Sequence, residues 1–153
     1  MQLFVEIQNP ENFTDIPESA KINEWIGCAL QHADYSSDEA ELTVRVVGEA
    51  ESQQLNSQYR GKNKPTNVLS FPFEAPFEIE TCLLGDLVIC QPILVAEAKE
   101  QGKAEQSHWA HLIVHGTLHL LGYDHIDDEE AEAMECLETT ILQSLKFEDP
   151  YQE

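Results

Sequence analysis

Residues 115 to 125 read HGTLHLLGYDH: three histidines, two glycines and an aspartate in one run. His115 and His119 are four apart, so on a helix their Cβ atoms stand roughly 5 to 6 Å apart and two imidazole nitrogens can reach one ion. His108 and His111 extend the same face upstream. Residues eight apart, however, are about 12 Å apart along the axis, so one ion must choose an adjacent pair. The residues after His119 decide the choice. Gly122 falls where a helix ending at Leu120 or Leu121 needs a left-handed residue, and the reversal it permits can carry His125 back towards the other two. Three neutral imidazoles leave a fourth position open for water or substrate, the arrangement of a catalytic zinc site. The expected ligands are therefore His115, His119 and His125, holding one zinc per chain, although three imidazoles also accept nickel, copper or iron. His111 either touches this site or packs nearby. His108 is expected in packing, at the surface or behind the ligands, and Asp124 either orients a ligand imidazole or caps a turn.

The spacing H-x-x-x-H-x-x-G-x-x-H is that of the metzincin peptidases, but Gly116 stands where those enzymes carry the glutamate that acts as general base. Peptide hydrolysis without that carboxylate lacks both its proton acceptor and its leaving-group acid. A phosphodiester is a better substrate for such a site, because its transition-state charge sits on phosphoryl oxygens that a metal and a cation can stabilise. The stretch YRGKNKPTNVLSFPFE offers the cation: Arg60, Lys62 and Lys64 place three of the chain's eight basic residues within five positions. Arg60 is the expected anion clamp, since its planar fork holds two phosphate oxygens at once, with Lys62 and Lys64 as substrate-binding aids. Thr66 and Asn67, at a strand entrance, are equally good turn formers.

The elements that must position these residues can be read from periodicity. Residues 2 to 8, with Leu3, Val5 and Ile7 alternating, read as a strand. From Asp15, an N-cap ahead of Pro17 in the first turn, apolar residues at Ile22, Trp25, Ile26, Ala29 and Leu30 give helical spacing. ELTVRVV is a second strand, and Gly48 opens a polar helical segment through Tyr59. NVLSF (67 to 71) and LLGDLVIC (83 to 90) are two more strands, joined by a loop containing Pro and Glu. Residues 92 to 121 read as two helices broken near Gly102, and 127 to 147 as a closing helix whose acidic start DDEE suits the positive end of its dipole. Met134, Leu137, Ile141, Leu142 and Leu145 form its apolar stripe. The expected fold is α+β: one domain over residues 1 to 153, a small mixed four-stranded sheet and about five helices, one of them metzincin-like in its metal binding.

Composition narrows the partners. Asp and Glu number 29 against 8 Lys and Arg, a net charge of −21, and protonating all six histidines still leaves roughly −15. Such a field opposes non-specific adsorption to phosphate backbones or anionic membranes, so an RNA partner requires a local basic cleft. The four cysteines, Cys28, Cys82, Cys90 and Cys136, show no C-x-x-C spacing and are expected to be buried, reduced thiols. The start MQLFVEIQNP has no basic n-region, and no apolar run approaches the ~20 residues that span a bilayer. A cytoplasmic protein is expected.

HGTLHLLGYDH, YRGKNKPTNVLSFPFE and LLGDLVIC together closely resemble the YbeY family of bacterial metal-dependent endoribonucleases, over nearly the whole chain. The resemblance implies a small α+β fold around zinc, cleavage of single-stranded RNA, ribosomal RNA maturation at the small-subunit 3′ end, and a part in ribosome quality control. It also implies that His115, His119 and His125 hold the zinc and that Arg60 is functionally critical. The expected partners are single-stranded ribosomal RNA and the ribosome or its proteins, with no membrane and no DNA. A ribosome-associated assembly factor with a largely structural zinc is the alternative. It would close the fourth position with Asp124 or a residue of DDEE, and its acidic surface suits basic ribosomal proteins. A metzincin-like hydrolase of another substrate comes third.

Overall fold

The computed structural model describes residues 2–73, 82–124, 126–148 and 150. The described elements run β1 (Gln2–Gln8), α1 (Ser19–His32), β2 (Glu39–Val47), α2 (Glu49–Arg60), β3 (Val68–Pro72), β4 (Leu83–Cys90), α3 (Gln91–Glu100), α4 (Glu105–Leu120) and α5 (Asp128–Ser144). They form a single α+β domain with one four-stranded mixed sheet in the order β1-β2-β4-β3. β1, β2 and β4 are parallel neighbours, and β3 closes the edge antiparallel to β4. The fold class expected from periodicity is the fold observed.

Strand alternation decides which face of the sheet is covered. In β2, Ala40, Leu42, Val44 and Val46 are all fully buried, and Leu87 and Ile89 of β4 join them in the main core. On this face lies α4, which buries His108, Trp109, Ala110, Leu112, Ile113, Val114, Gly116, Thr117, Leu118 and Leu120. A helix buried on nearly every side sits between layers rather than on a surface. The layers are the sheet on one side and, on the other, α1 through Ile22, Trp25, Ile26, Ala29 and Leu30, and α5 through Met134, Ile141 and Leu142. At Gly116 α4 comes close against the sheet: a Cβ there would lie 2.7 Å from Leu87 Cδ2.

The opposite face has a smaller cluster, Val47, Leu69, Val88 and Cys90, against which Leu55 of α2 packs. α2 is otherwise polar, and its polarity has a structural use. Ser52 and Asn56 are 1% exposed. Ser52 Oγ donates to the Thr66 carbonyl at 2.8 Å and accepts from the Thr66 N–H at 2.9 Å, while Asn56 Nδ2 donates to the Lys64 carbonyl at 2.8 Å. The segment carrying Lys62 and Lys64 is thereby strapped to the helix that ends in Arg60.

Three local expectations are corrected. The first helix starts at Ser19 with Glu18 at its cap and no side-chain cap bond, leaving Pro17 outside; proline disfavours helical backbone in the residue before it, so Asp15 is too far upstream to cap. The closing helix stops at Ser144, three residues early, where Lys146 takes a left-handed φ of 71° and Phe147 N–H reaches back to the Leu142 carbonyl. Of the four cysteines, all free, only Cys90 is buried, whereas Cys28 and Cys82 are half-buried and Cys136 is exposed. The loop expected between β3 and β4 lies mostly outside the described residues. Among them, no helix is long and apolar enough to cross a membrane.

The close approach at Gly116 sets the cost of any side chain there. Gly116→Ala overpacks the contact with Leu87 and destabilises the protein by about 1 to 3 kcal/mol, and Gly116→Glu costs more because it also buries a carboxylate. Urea unfolding of the two variants checks the order.

Candidate metal centre

The site is built on the last two turns of α4. His115 and His119 lie one turn apart, and their rings meet at 4.5 Å between centroids. The helix ends as the glycine requires: Gly122 has φ 100°, its N–H bonds to the His119 carbonyl at 3.0 Å, and the Tyr123 N–H reaches the Leu118 carbonyl at 3.0 Å. These paired reversals form a Schellman turn, which satisfies the last carbonyls and turns the chain sharply after the second histidine. His125, the third expected ligand, lies outside the described residues.

Beneath the pair stands a residue that motif spacing does not reveal. Glu138 of α5 is fully buried, and its Oε1 lies 2.5 Å from His115 Nδ1 and 3.5 Å from His111 Nε2. A carboxylate has no proton to give, so His115 Nδ1 carries the hydrogen and donates it. That fixes the tautomer and leaves His115 Nε2 with a lone pair, facing His119 Nε2 at 3.1 Å. A signal for Glu138 is nonetheless present in the sequence: it falls within the apolar stripe Met134, Leu137, Ile141, Leu142, where a carboxylate is out of place unless something inside binds it.

These groups give a metal two seats. His111, His115 and Glu138 have ligand atoms within 4.8 Å of one another and form a possible metal-binding group. The outer seat uses the other nitrogen of His115 together with His119. Two nitrogens on one tetrahedral ion, at bonds of about 2.0–2.1 Å, stand roughly 3.3 Å apart, close to the 3.1 Å between the two Nε2 atoms. At the inner seat the His115–Glu138 separation of 2.5 Å is that of a hydrogen bond already made, with no room for an ion between its ends. The 3.1 Å between the two Nε2 atoms is likewise a hydrogen-bond distance, and the donor set of both groups fits a metal.

The histidine pair opens into a cleft of about 680 Å³ lined also by Arg60, Thr66, Asn67, Ser70 and Asp124. Arg60, at the C-terminal end of α2, thus shares a cleft with His115 and His119, while Lys62 and Lys64 are exposed and do not line it. Within DDEE, Asp127 is the N-cap of α5, accepting from the Glu130 N–H at 2.8 Å. A second, half-buried relay, unforeseen from sequence, holds the wall: Asn67 Nδ2 donates to Glu97 Oε1 at 3.0 Å, and His108 Nε2 meets the same oxygen at 2.9 Å. This ties the entrance of β3 to α3 and α4. His108 therefore has a packing role. Burial pushes its pKa below the ordinary histidine value despite the opposing pull of Glu97, and its Nδ1 is buried with no hydrogen-bond partner among the described residues.

Both relays can be tested by substitution. Glu138→Ala weakens metal binding about 10- to 100-fold by releasing the His115 ring, measured by chelator competition, and Glu138→Gln, which keeps the volume and an acceptor, loses less. For His108 the folded group is depressed below about 6.5, so the unfolded chain takes up the proton first. Stability is therefore lost as pH falls through about 6.5, and His108→Gln flattens that part of the dependence of Tm on pH.

Two comparisons place the chain among known proteins. The solution structure of TM1509 from Thermotoga maritima matches 98% of this chain and 100% of its own at a TM-score of 0.56 and 22% identity, a likeness of fold. The family model described as endoribonuclease YbeY matches residues 6–146, which include every element from α1 to α5 together with His115, His119, Arg60 and Glu138. The chain belongs to the YbeY endoribonuclease family.

Proposed function

We propose that this protein is a zinc-dependent endoribonuclease that cuts single-stranded RNA in ribosomal RNA maturation at the small-subunit 3′ end, and serves ribosome quality control in the cytoplasm. The observation that carries the reading is that Arg60 and the facing nitrogens of His115 and His119 line one cleft. His115, His119 and His125 are its proposed ligands, with Glu138 holding His115 from behind. Bound there, zinc supplies a Lewis acid for a phosphoryl oxygen or a water molecule. Arg60 pairs with the phosphate through two N–H groups and offsets the charge that grows on its oxygens. Polar groups at the strand entrance, Asn67 and Ser70, lie where they can orient the chain. Gly116 faces Leu87 and the sheet, so the helix presents no carboxylate to the cleft from the position where a metzincin has its base.

The net charge of −21 favours a ribosomal setting, in which basic ribosomal proteins meet the acidic body and deliver the RNA. The same charge keeps the structural-zinc assembly factor as a second reading. The two differ in whether RNA cleavage depends on Arg60.

The test is metal content by mass spectrometry beside cleavage of a single-stranded RNA. His115→Ala and His119→Ala lose zinc, whereas Arg60→Ala keeps it and cleaves about 100-fold more slowly or worse. Zinc lost in His111→Ala but retained in His119→Ala would instead assign the ion to the inner group. Cleavage unaffected in Arg60→Ala refutes the clamp, and stoichiometric zinc with no cleavage even on ribosomal substrate favours the assembly factor. A 2′,3′-cyclic phosphate end identifies the RNA 2′-hydroxyl as nucleophile and excludes direct attack by water.

A further inference from the structure

An endoribonuclease with 29 acidic and 8 basic residues must hold a polyanion against its own field. Ion pairing is a poor way to do it here. Among the described residues lining the central cleft, Arg60 is the one permanent cation, and Asp124 lines the cleft with it. Arg45, the other arginine, is engaged elsewhere: its guanidinium grips Glu51 at 2.6 and 3.0 Å and Gln8 at 3.0 Å.

The boundaries of the cleft are aromatic. It adjoins two further grooves. One, of about 490 Å³ over the open face of the sheet, shares Tyr59 and Phe71 with it. The other, of about 460 Å³ beside the α1–β2 connection, shares Gly122 and Tyr123 and is lined by Tyr35. Three of the chain's four tyrosines therefore line one continuous depression that passes the histidine pair, and the fourth is outside the described residues. Tyr59 and Tyr35 are held by side-chain contacts before any ligand arrives, and Tyr123 through its backbone. Tyr59 is 60% exposed yet stands edge-to-face on Phe71 at 5.1 Å. Tyr123 is anchored by the Schellman turn, and the Tyr35 hydroxyl donates to the Glu39 carbonyl at 2.9 Å. Rings fixed in advance lose little entropy on binding.

We infer that this depression is a base-stacking track: nucleobases on either side of the phosphate at the metal centre stack on Tyr59, backed by Phe71, and on Tyr123, with Tyr35 next along the strand. The inference rests on the endoribonuclease reading and adds the source of its affinity. Every base has a π-face, so stacking holds RNA without regard to the protein's net charge. It also selects single strands, because a base inside a duplex has no face to offer.

The test measures binding of a short labelled single-stranded oligoribonucleotide, and of the same strand in a duplex, by fluorescence anisotropy with chelated protein. KM and kcat are measured with zinc-loaded protein. Tyr59→Leu and Tyr123→Leu each weaken single-strand binding roughly 5- to 150-fold, and Tyr→Phe at the same position restores most of it. The salt dependence stays shallow, near the slope of about 0.7 expected for one neutralised phosphate on a single strand. Phe4→Leu, exposed on the far edge strand β1, serves as the unaffected control. Leu variants that bind like wild type, Phe variants that fail as badly as Leu, or equal affinity for the duplex would each overturn the track. The nuclease reading fails separately: stacking-dependent binding with no cleavage under any condition leaves the track and removes the enzyme, and Arg60-dependent cleavage with unchanged KM in the Leu variants does the reverse.

Discussion

Glu138 is a carboxylate with no water around it, and much of the architecture around the site can be traced to keeping it there. An ionised side chain in an apolar interior must be paired and hydrogen-bonded or it costs several kcal/mol. Its partners are two imidazoles of α4, His115 at 2.5 Å and His111 at 3.5 Å. The pairing works in both directions: the histidines make burial of the carboxylate tolerable, and the carboxylate dictates which nitrogen of His115 faces the cleft. Because Glu138 lies on α5 and its partners on α4, the hydrogen bond also sets the register of one helix against the other.

Much of this is legible in the sequence, for physical reasons that differ from element to element. β2 is plain because its apolar residues alternate with polar ones, and β4 because LVIC is a short continuous apolar run, the mark of a strand covered on both faces. The end of α4 is plain because a left-handed turn after a helix has few chemical solutions, and Gly122 is one. Glu138 and Glu97 are not, since ligand spacing along the chain does not reveal a partner donated by another helix. The relay from Asn67 through Glu97 to His108 joins three elements across 41 residues of sequence, Asn67 to His108, and only tertiary packing brings them together. Asp15 is misleading at the start of α1 because it is a good capping residue in isolation, while Pro17 disfavours helical backbone at Ile16, and Glu18, still extended, takes the cap position. Lys62 and Lys64 look like one basic cluster with Arg60. All three are exposed, but only Arg60 lines the cleft; the left-handed turn at Gly61 carries the two lysines away from it.

The acidic body and the RNA substrate class are reconciled by geometry. Charge acts over roughly 8 to 10 Å at physiological salt, so a distributed negative field penalises loose, sliding encounters more than a strand held close in a cleft. The protein is thus poorly suited to scanning RNA at large and better suited to a strand presented to it. That property belongs to the whole surface, whereas Arg60 and the histidine pair lie in one cleft.

The helix carrying the proposed ligands is also the one most deeply enclosed by the fold. α4 contributes Trp109, Ile113 and Leu118 to the interior and is flanked by the sheet, α1, α3 and α5. Opening it locally would expose the centre of the domain, so its amides belong to the last unit to exchange with solvent. His115 and His119 therefore stand on the part of the chain that opens last, and their spacing is kept while the outer elements breathe.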